Sequence, residues 1–254
     1  MLLKFGASLL KTDNNLLYEP DTNGFIRLTY FNNYTYPIDT PLIGKPYNVS
    51  SNRFVKNTMI INGIVYPSIK IQGSGYTGKL DTNINYADWS ILTFEFFCKL
   101  YMTQSWCSPF IPFNGLWPGV WADNWGRDRG AGVTVYRNTT YNWIYKANNL
   151  REYEVDNWRM FINSDIKDNI PFHIAYVFKK NNNNIVEQKI YINGILQTII
   201  NVPITQSSDT RIHCDTNYNS HCYVEATQFA IRKIDPSINN GMNFPVPTEP
   251  YVQW

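Results

Sequence analysis

The chain is poor in alanine, in charge and in histidine. Ala occurs 8 times in 254 residues, against 31 Asn and 27 Ile. Ala is the strongest helix former, while Asn favours turns and Ile favours strands. The composition therefore argues against a helical protein and against the α/β cofactor folds. Only 17% of the residues are charged and the net charge is +2, too little for a strong field toward nucleic acid or an anionic membrane. No run approaches the roughly 18 apolar residues of a membrane helix. A hydrophobic share of 44% excludes intrinsic disorder. No export signal is expected at the start, since Lys4 interrupts Met1–Leu10 and no small-residue cleavage site precedes Thr12–Asn15.

What is present is a succession of strand signals. Phe25–Phe31, Met59–Ile61, Ile64–Tyr66, Ser68–Ile71 and Ser90–Tyr101 are rich in β formers. So are Val133–Tyr136, Tyr141–Tyr145, Phe172–Lys179, Gln188–Ile192, Ile195–Ile200 and Tyr223–Ile231. Clusters of Asn, Gly, Pro and Asp separate them. Asn62–Gly63 and Asn193–Gly194 are two-residue hairpin turns, because Asn-Gly supplies the two positive φ angles such a turn demands. In Ser90–Tyr101 the alternation places Leu92, Phe94, Phe96 and Cys98 on one face. Short strands with turn signals about every 8–12 residues predict an all-β sandwich of two antiparallel sheets. Residues 1–20 read as an N-terminal arm and 21–254 as one domain ending in a Pro-rich tail.

Three segments carry a resemblance. Pro171–Lys180 reads PFHIAYVFKK and Gln188–Thr198 reads QKIYINGILQT. This pair resembles the aromatic-His-x-Ala strand and aromatic-x-Asn-Gly hairpin of the concanavalin A-like lectin/glucanase (laminin-G-like) jelly rolls. Asp88–Lys99 is similar to the Phe-Thr-x-Glu-x-aromatic strand of that superfamily, with Thr93 and Glu95 in place. Thr227–Tyr251 resembles the closing strand and Pro-rich tail of its phage versions, with Thr227–Gln228 where Asp-Glu is usual. The resemblance implies a concanavalin A-like jelly-roll sandwich and a non-enzymatic structural component of a tailed-bacteriophage virion, on the head or tail surface. The alternative is a carbohydrate-binding lectin module for adhesion. The expected partners are other virion proteins, and possibly glycans. The implied location is the virion, after synthesis in the host cytoplasm. No cofactor is expected. Calcium sites in such folds draw on backbone oxygens, which no side-chain pattern marks.

Few residues suggest chemistry. The superfamily's glucanases carry Glu-x-Asp-x-Glu on one strand face. The only counterpart, Glu152-Tyr153-Glu154-Val155-Asp156, has a different order and follows a loop, so no catalytic residue is assigned. His213, Cys214, His221 and Cys222 place four possible zinc ligands within ten residues. A Cys214–Cys222 disulfide or free thiols are the other readings, and a reducing cytoplasm weighs against the disulfide. His173 lies in a strand and reads as structural, Cys98 as core, and Cys107 as part of a loop. The remaining feature is the stretch Gln104–Gly130, with Trp117, Trp121, Asp123, Asn124, Trp125 and Arg127. Trp beside Arg and amides suits a protein contact, a sugar site, or simple cover for the sandwich. Between the two partners a protein contact is favoured, with Trp121 and Trp125 as anchors and Arg127 as their charged neighbour.

Overall fold

The fold was analysed in a computed structural model of the chain. It describes the backbone of eighteen strands and, with side chains, residues 55–70, 90–101, 169–181, 186–197, 199 and 223–248. The described residues form strands and turns, with no helix among them. Two short strands, β1 (Leu10–Thr12) and β2 (Asn15–Leu17), pair only with each other. The remaining sixteen make two eight-stranded sheets, and every pairing is antiparallel. The sequence expectation of an all-β sandwich of two sheets is what the chain forms.

The first sheet contains β3 (Phe25–Thr29), β6 (Phe54–Ile61), β7 (Ile64–Gln72), β9 (Ile91–Tyr101), β14 (Phe172–Lys180), β15 (Ile185–Ile192), β16 (Ile195–Pro203) and β18 (Tyr223–Arg232). Its order is β16-β15-β14-β9-β18-β7-β6, with β3 also paired to β18. The second sheet contains β4 (Ile38–Asp39), β5 (Tyr47–Val49), β8 (Thr77–Asp81), β10 (Trp106–Pro112), β11 (Val133–Tyr136), β12 (Tyr141–Tyr145), β13 (Trp158–Ile162) and β17 (Arg211–Thr216). Its order is β13-β12-β11-β10-β17-β8-β5-β4. Strand β10 approaches β9 and β18, and β17 approaches β18.

Both Asn-Gly turns are observed as read. Asn62 and Gly63 have φ of 50° and 80°, and Asn193 and Gly194 have 49° and 80°. They join β6 to β7 in even register and β15 to β16 with a register shift between Ile190–Thr198 and Tyr191–Leu196. The predicted break at Pro67 is absent: Ile64–Tyr66 and Ser68–Ile71 are one strand, β7. Proline has no N–H to donate. Here the β18–β7 ladder stops at Ala226–Ile69, and the Thr227 hydroxyl donates to the Pro67 carbonyl at 2.5 Å instead. A second correction concerns Cys107, read as a loop residue. It lies in β10, paired with Val135 and Thr216.

Alternation gives the first sheet two different faces. One carries Leu92, Phe94, Phe96 and Cys98 of β9, Phe172, Ile174, Tyr176 and Phe178 of β14, and Phe229 and Ile231 of β18, all buried. Phe96 stacks on Phe229 at 5.2 Å, and Phe94 meets Phe178 edge-on at 5.9 Å. The opposite face is half covered by residues 233–248, which follow β18 as a strap. Thr93 donates to the Ile234 carbonyl (2.5 Å), Lys189 pairs with Asp235 (3.3 Å), and the Tyr191 hydroxyl donates to the Gly241 carbonyl (2.8 Å). The strap then turns back through Asn239, Asn240 and Gly241, all at positive φ. Phe244 donates its N–H to the Gly194 carbonyl at 2.8 Å and packs with Ala175, Val177 and Tyr191. Farther along, Val246 packs on Met59, Ile61, Tyr66 and Phe97.

Burial works to lower the Lys189 pKa, but the charge and hydrogen bond of Asp235 hold it above its ordinary value. Burial works to raise the Asp235 pKa, yet hydrogen bonds from Ser237 and the Lys189 charge hold it below. A carboxyl with a lowered folded pKa stabilises the fold above its unfolded pKa, and that stability fades as pH falls through the folded value. The stability difference between the wild type and Asp235→Asn should be level near neutrality and shrink below about pH 4. Urea unfolding at several pH values checks this; a difference that grows on acidification contradicts it.

The two turn glycines offer a second check. A Cβ on Gly63 would meet nothing within 4 Å, whereas one on Gly194 would lie 2.7 Å from the Phe244 carbonyl oxygen and 2.9 Å from Val246 Cγ2. Gly63→Ala should cost about 1–2 kcal/mol, the left-handed backbone penalty alone. Gly194→Ala should cost more by at least about 1 kcal/mol, because the strap must shift as well. Equal losses in thermal unfolding would show that the strap does not seat on the turn.

Candidate functional site

The strap-covered face holds a charged row. Glu95 of β9 is fully buried, as is His173 of β14. Arg232 of β18 places Nη2 2.5 Å from Glu95 Oε1, and His173 Nε2 lies 3.3 Å from Glu95 Oε2. Each residue comes from a different strand, and register brings them together: His173 is opposite Phe97, and Arg232 is opposite Thr93. The His173 ring stacks on Phe244 at 5.6 Å and meets Phe97 edge-on at 5.1 Å. Asn193 Oδ1 accepts the His173 N–H, and the Asn193 N–H donates to the His173 carbonyl, each at 2.9 Å.

A bulge makes this meeting possible. Between Thr227–Phe97 and Ala230–Glu95, β18 advances three residues while β9 advances two. Gln228 takes up the extra residue with φ of 52°. A bulge resets which face each side chain joins. The even alternation expected over Tyr223–Ile231 would send Arg232 to the aromatic face with Val224 and Ala226. The bulge returns it to Glu95 and turns Phe229 and Ile231 to the aromatic core.

Composition alone would make Glu, His and Arg a catalytic candidate. Its geometry is that of a structural ion network: it is roofed by Phe244 and almost closed to solvent, with Arg232 11% exposed. The structural reading of His173 is supported by this setting. Cys98 is buried on the aromatic face and forms no disulfide, in line with its core reading.

Beyond the strap, the same face opens at the Tyr101 end of β9. Glu225 of β18 is buried and accepts from Asn57 Nδ2 (3.0 Å) and from the Ser68 hydroxyl, with Lys99 Nζ 2.9 Å from its other oxygen. Beside it, Tyr223 and Tyr101, opposite each other in register, stack at 5.5 Å with planes 19° apart. Lys70 Nζ lies 3.9 Å over the other side of the Tyr223 ring. The Tyr223 hydroxyl donates to Asn169 Oδ1. Both tyrosines are half-buried, and Asn57 and Asn169 are exposed. The result is an aromatic stack rimmed by amides and an ammonium, open to solvent and drawn from β6, β7, β9, β18 and the turn before β14.

Sequence reading missed this platform. Tyr101 and Tyr223 are the terminal residues of two strands 122 positions apart (223 − 101), and no local pattern links them. Of the residues singled out from sequence, Trp117, Trp121, Asp123, Asn124, Trp125 and Arg127 lie outside the described residues. So do Glu152–Asp156, His221 and Cys222. His213 and Cys214 are successive positions of β17, paired with Lys79 and Gly78 of β8. Among the described residues, no group of three or more His, Cys, Asp or Glu is placed to hold a metal ion.

Replacing Arg232 leaves a buried carboxylate short of its closest cation, so Arg232→Met should cost about 3–5 kcal/mol. The double variant Glu95→Met, Arg232→Met should recover part of that loss, since it buries no uncompensated charge. Chemical denaturation of both measures it; a double variant less stable than the single would mean that the charges hold the sheet more firmly than apolar packing.

No protein-family model and no curated protein matches this sequence. Solved structures do resemble the fold. The receptor binding domain of botulinum neurotoxin mosaic serotype C/D is similar with a TM-score of 0.52 at 15% identity, over 87% of this chain and 49% of that one. The botulinum neurotoxin serotype D binding domain also gives 0.52 at 15% identity, over 85% and 49%. The endo-β-1,4-glucuronan lyase of the fungus Trichoderma reesei gives 0.50 at 11% identity, over 87% of this chain and 98% of that one. This chain thus spans about half the length of the neurotoxin domains. At such identities the likeness is one of fold, and it places this chain among the β-sandwich domains.

Proposed function

We propose that this protein is a carbohydrate-binding β-sandwich module without catalytic activity of its own, displayed on the surface of a tailed-phage particle. The observation that carries the reading is the open Tyr101–Tyr223 stack with Asn57, Asn169, Lys70 and Lys99 around it. Aromatic rings take the C–H faces of a sugar, while amides and ammonium groups take its hydroxyls. The fold agrees with that use, since its neighbours include receptor binding domains and a lyase named for a polysaccharide. The absence of catalysis is supported by the two carboxylates on this face. Glu95 is locked between Arg232 and His173, and Glu225 between Lys99, Ser68 and Asn57. The particle setting rests on the likeness of Thr227–Tyr251 to phage versions of the jelly roll. In that setting the stretch 104–130, with Trp121 and Trp125, is the proposed contact to neighbouring virion proteins.

Saturation-transfer NMR against a panel of neutral and acidic oligosaccharides tests this. Binding is expected in about the millimolar range, ~4 kcal/mol. The double variant Tyr101→Ala, Tyr223→Ala should weaken it at least about tenfold, ~1.4 kcal/mol, while circular dichroism stays unchanged. A panel with no binder, or variants that bind as the wild type does, defeats the reading. Release of reducing ends from any bound oligosaccharide defeats its non-enzymatic part.

A further inference from the structure

We infer that the Tyr101–Tyr223 platform selects acidic saccharides, with the Lys70 ammonium receiving the sugar's carboxylate; this deepens the glycan-binding reading and rests on it. The argument starts from which charges at the platform are already matched. Glu225 stands directly opposite Lys70 in the β18–β7 register. Its carboxylate nevertheless turns to Lys99, 2.9 Å from Oε2, while Oε1 accepts from Ser68 and Asn57. Lys99 and Glu225 therefore balance each other. Among the described residues no carboxylate pairs with Lys70, whose ammonium rests over the Tyr223 ring at 3.9 Å. A cation held by a ring quadrupole keeps hydrogen-bond donors for a further partner.

The neighbouring groups narrow that partner from any anion to a sugar acid. Lys70, Tyr223 and Tyr101 come from the adjacent strands β7, β18 and β9. They span two strand spacings, ~10 Å, which is the reach of a disaccharide. At one side stands the ammonium. At the other is the Tyr101 ring, half-buried and stacked on Tyr223 by one face. Asn169 accepts the Tyr223 hydroxyl through Oδ1, and among the described residues its amide N–H groups meet no acceptor and can donate. A carboxylate, a pyranose ring and hydroxyl oxygens are the three chemistries such a row takes together. The platform is open to solvent, so the charge contribution is modest and screened by salt.

Isothermal titration of the full chain with two matched pairs tests the inference: sialyllactose against lactose, and an oligoglucuronate against a neutral cello-oligosaccharide of equal length. Each is measured at low and at high salt for the wild type, Lys70→Gln, Lys70→Arg and Tyr101→Ala. In at least one pair the acidic member should bind about five- to tenfold tighter, as one charge-assisted contact gives. Added salt should narrow that gap. Lys70→Gln should abolish the preference by weakening the acidic member more than the neutral one, Lys70→Arg should keep it, and Tyr101→Ala should weaken both members. If acidic and neutral members bind alike, or if Lys70→Gln keeps the preference, the inference falls and glycan binding stands. If Tyr101→Ala leaves the acidic member's affinity unchanged while inorganic sulfate displaces it, the site is a bare anion site and the inference falls. If no saccharide binds, both readings fall. Should Lys70→Gln not fold, the salt dependence and Lys70→Arg still decide.

Discussion

A carboxylate with no access to water stands at the centre of the first sheet. Arg232 and His173 compensate Glu95 there, and those two come from the strands on either side of its own. A buried charge without its partner costs several kcal/mol. A one-residue slip of β14 or of β18 would send His173 or Arg232 to the aromatic face and strand the charge. The hydrophobic pattern alone also resists slippage, but apolar residues of similar size tolerate exchange. An ion network does not, so it specifies the register more sharply than it stabilises it.

The strap follows from the same constraint. The charged row needs cover, and Phe244 supplies it by stacking on His173 while closing over Ala175, Val177 and Tyr191. The cover is fastened at both polar and apolar points: Thr93 and Lys189 hold its start, and Val246 ends it against Phe97 and Tyr66. Among the described residues, its contacts fall on Thr93, Lys189, Tyr191, His173 and the Phe97 and Tyr66 cluster, not on Lys99 or Tyr101. One sheet face thus has a closed half under the strap and a more open half where polar groups reach the surface. The two halves share strands β9 and β18, so the ion network also holds the aromatic stack in place.

How much of this was legible follows from the range of each signal. The Asn62–Gly63 and Asn193–Gly194 turns and the inward face of β9 are local features, and they read directly from residue type and alternation. Pro67 misled because a proline break is a local rule, and here a distant hydroxyl, that of Thr227, satisfies the Pro67 carbonyl. The bulge at Gln228 left no trace, since a glycine would have marked it and a glutamine does not. Glu95 was visible as a residue of a family-like strand and His173 as a structural histidine, but their meeting with Arg232 depends on pairing between segments far apart in the chain. The Tyr101–Tyr223 stack was invisible for the same reason.

The order in which the strands appear during synthesis gives the strap a further significance. β9 emerges early and β14 well after it, yet the strand that lies on the other side of β9, β18, is among the last described. Until residues 223–248 leave the ribosome, β9 has one bare edge, Glu95 lacks its arginine, and Met59, Tyr66 and Phe97 lack the strap's cover. Long-range pairing of this kind is slow and leaves strand edges open in the meantime. A chain that lacks β18 and the strap therefore keeps an open edge on β9 and a bare apolar patch at Met59, Tyr66 and Phe97. The first sheet closes only when strands far apart in the sequence have met, so its folding waits on long-range pairing rather than on any local element.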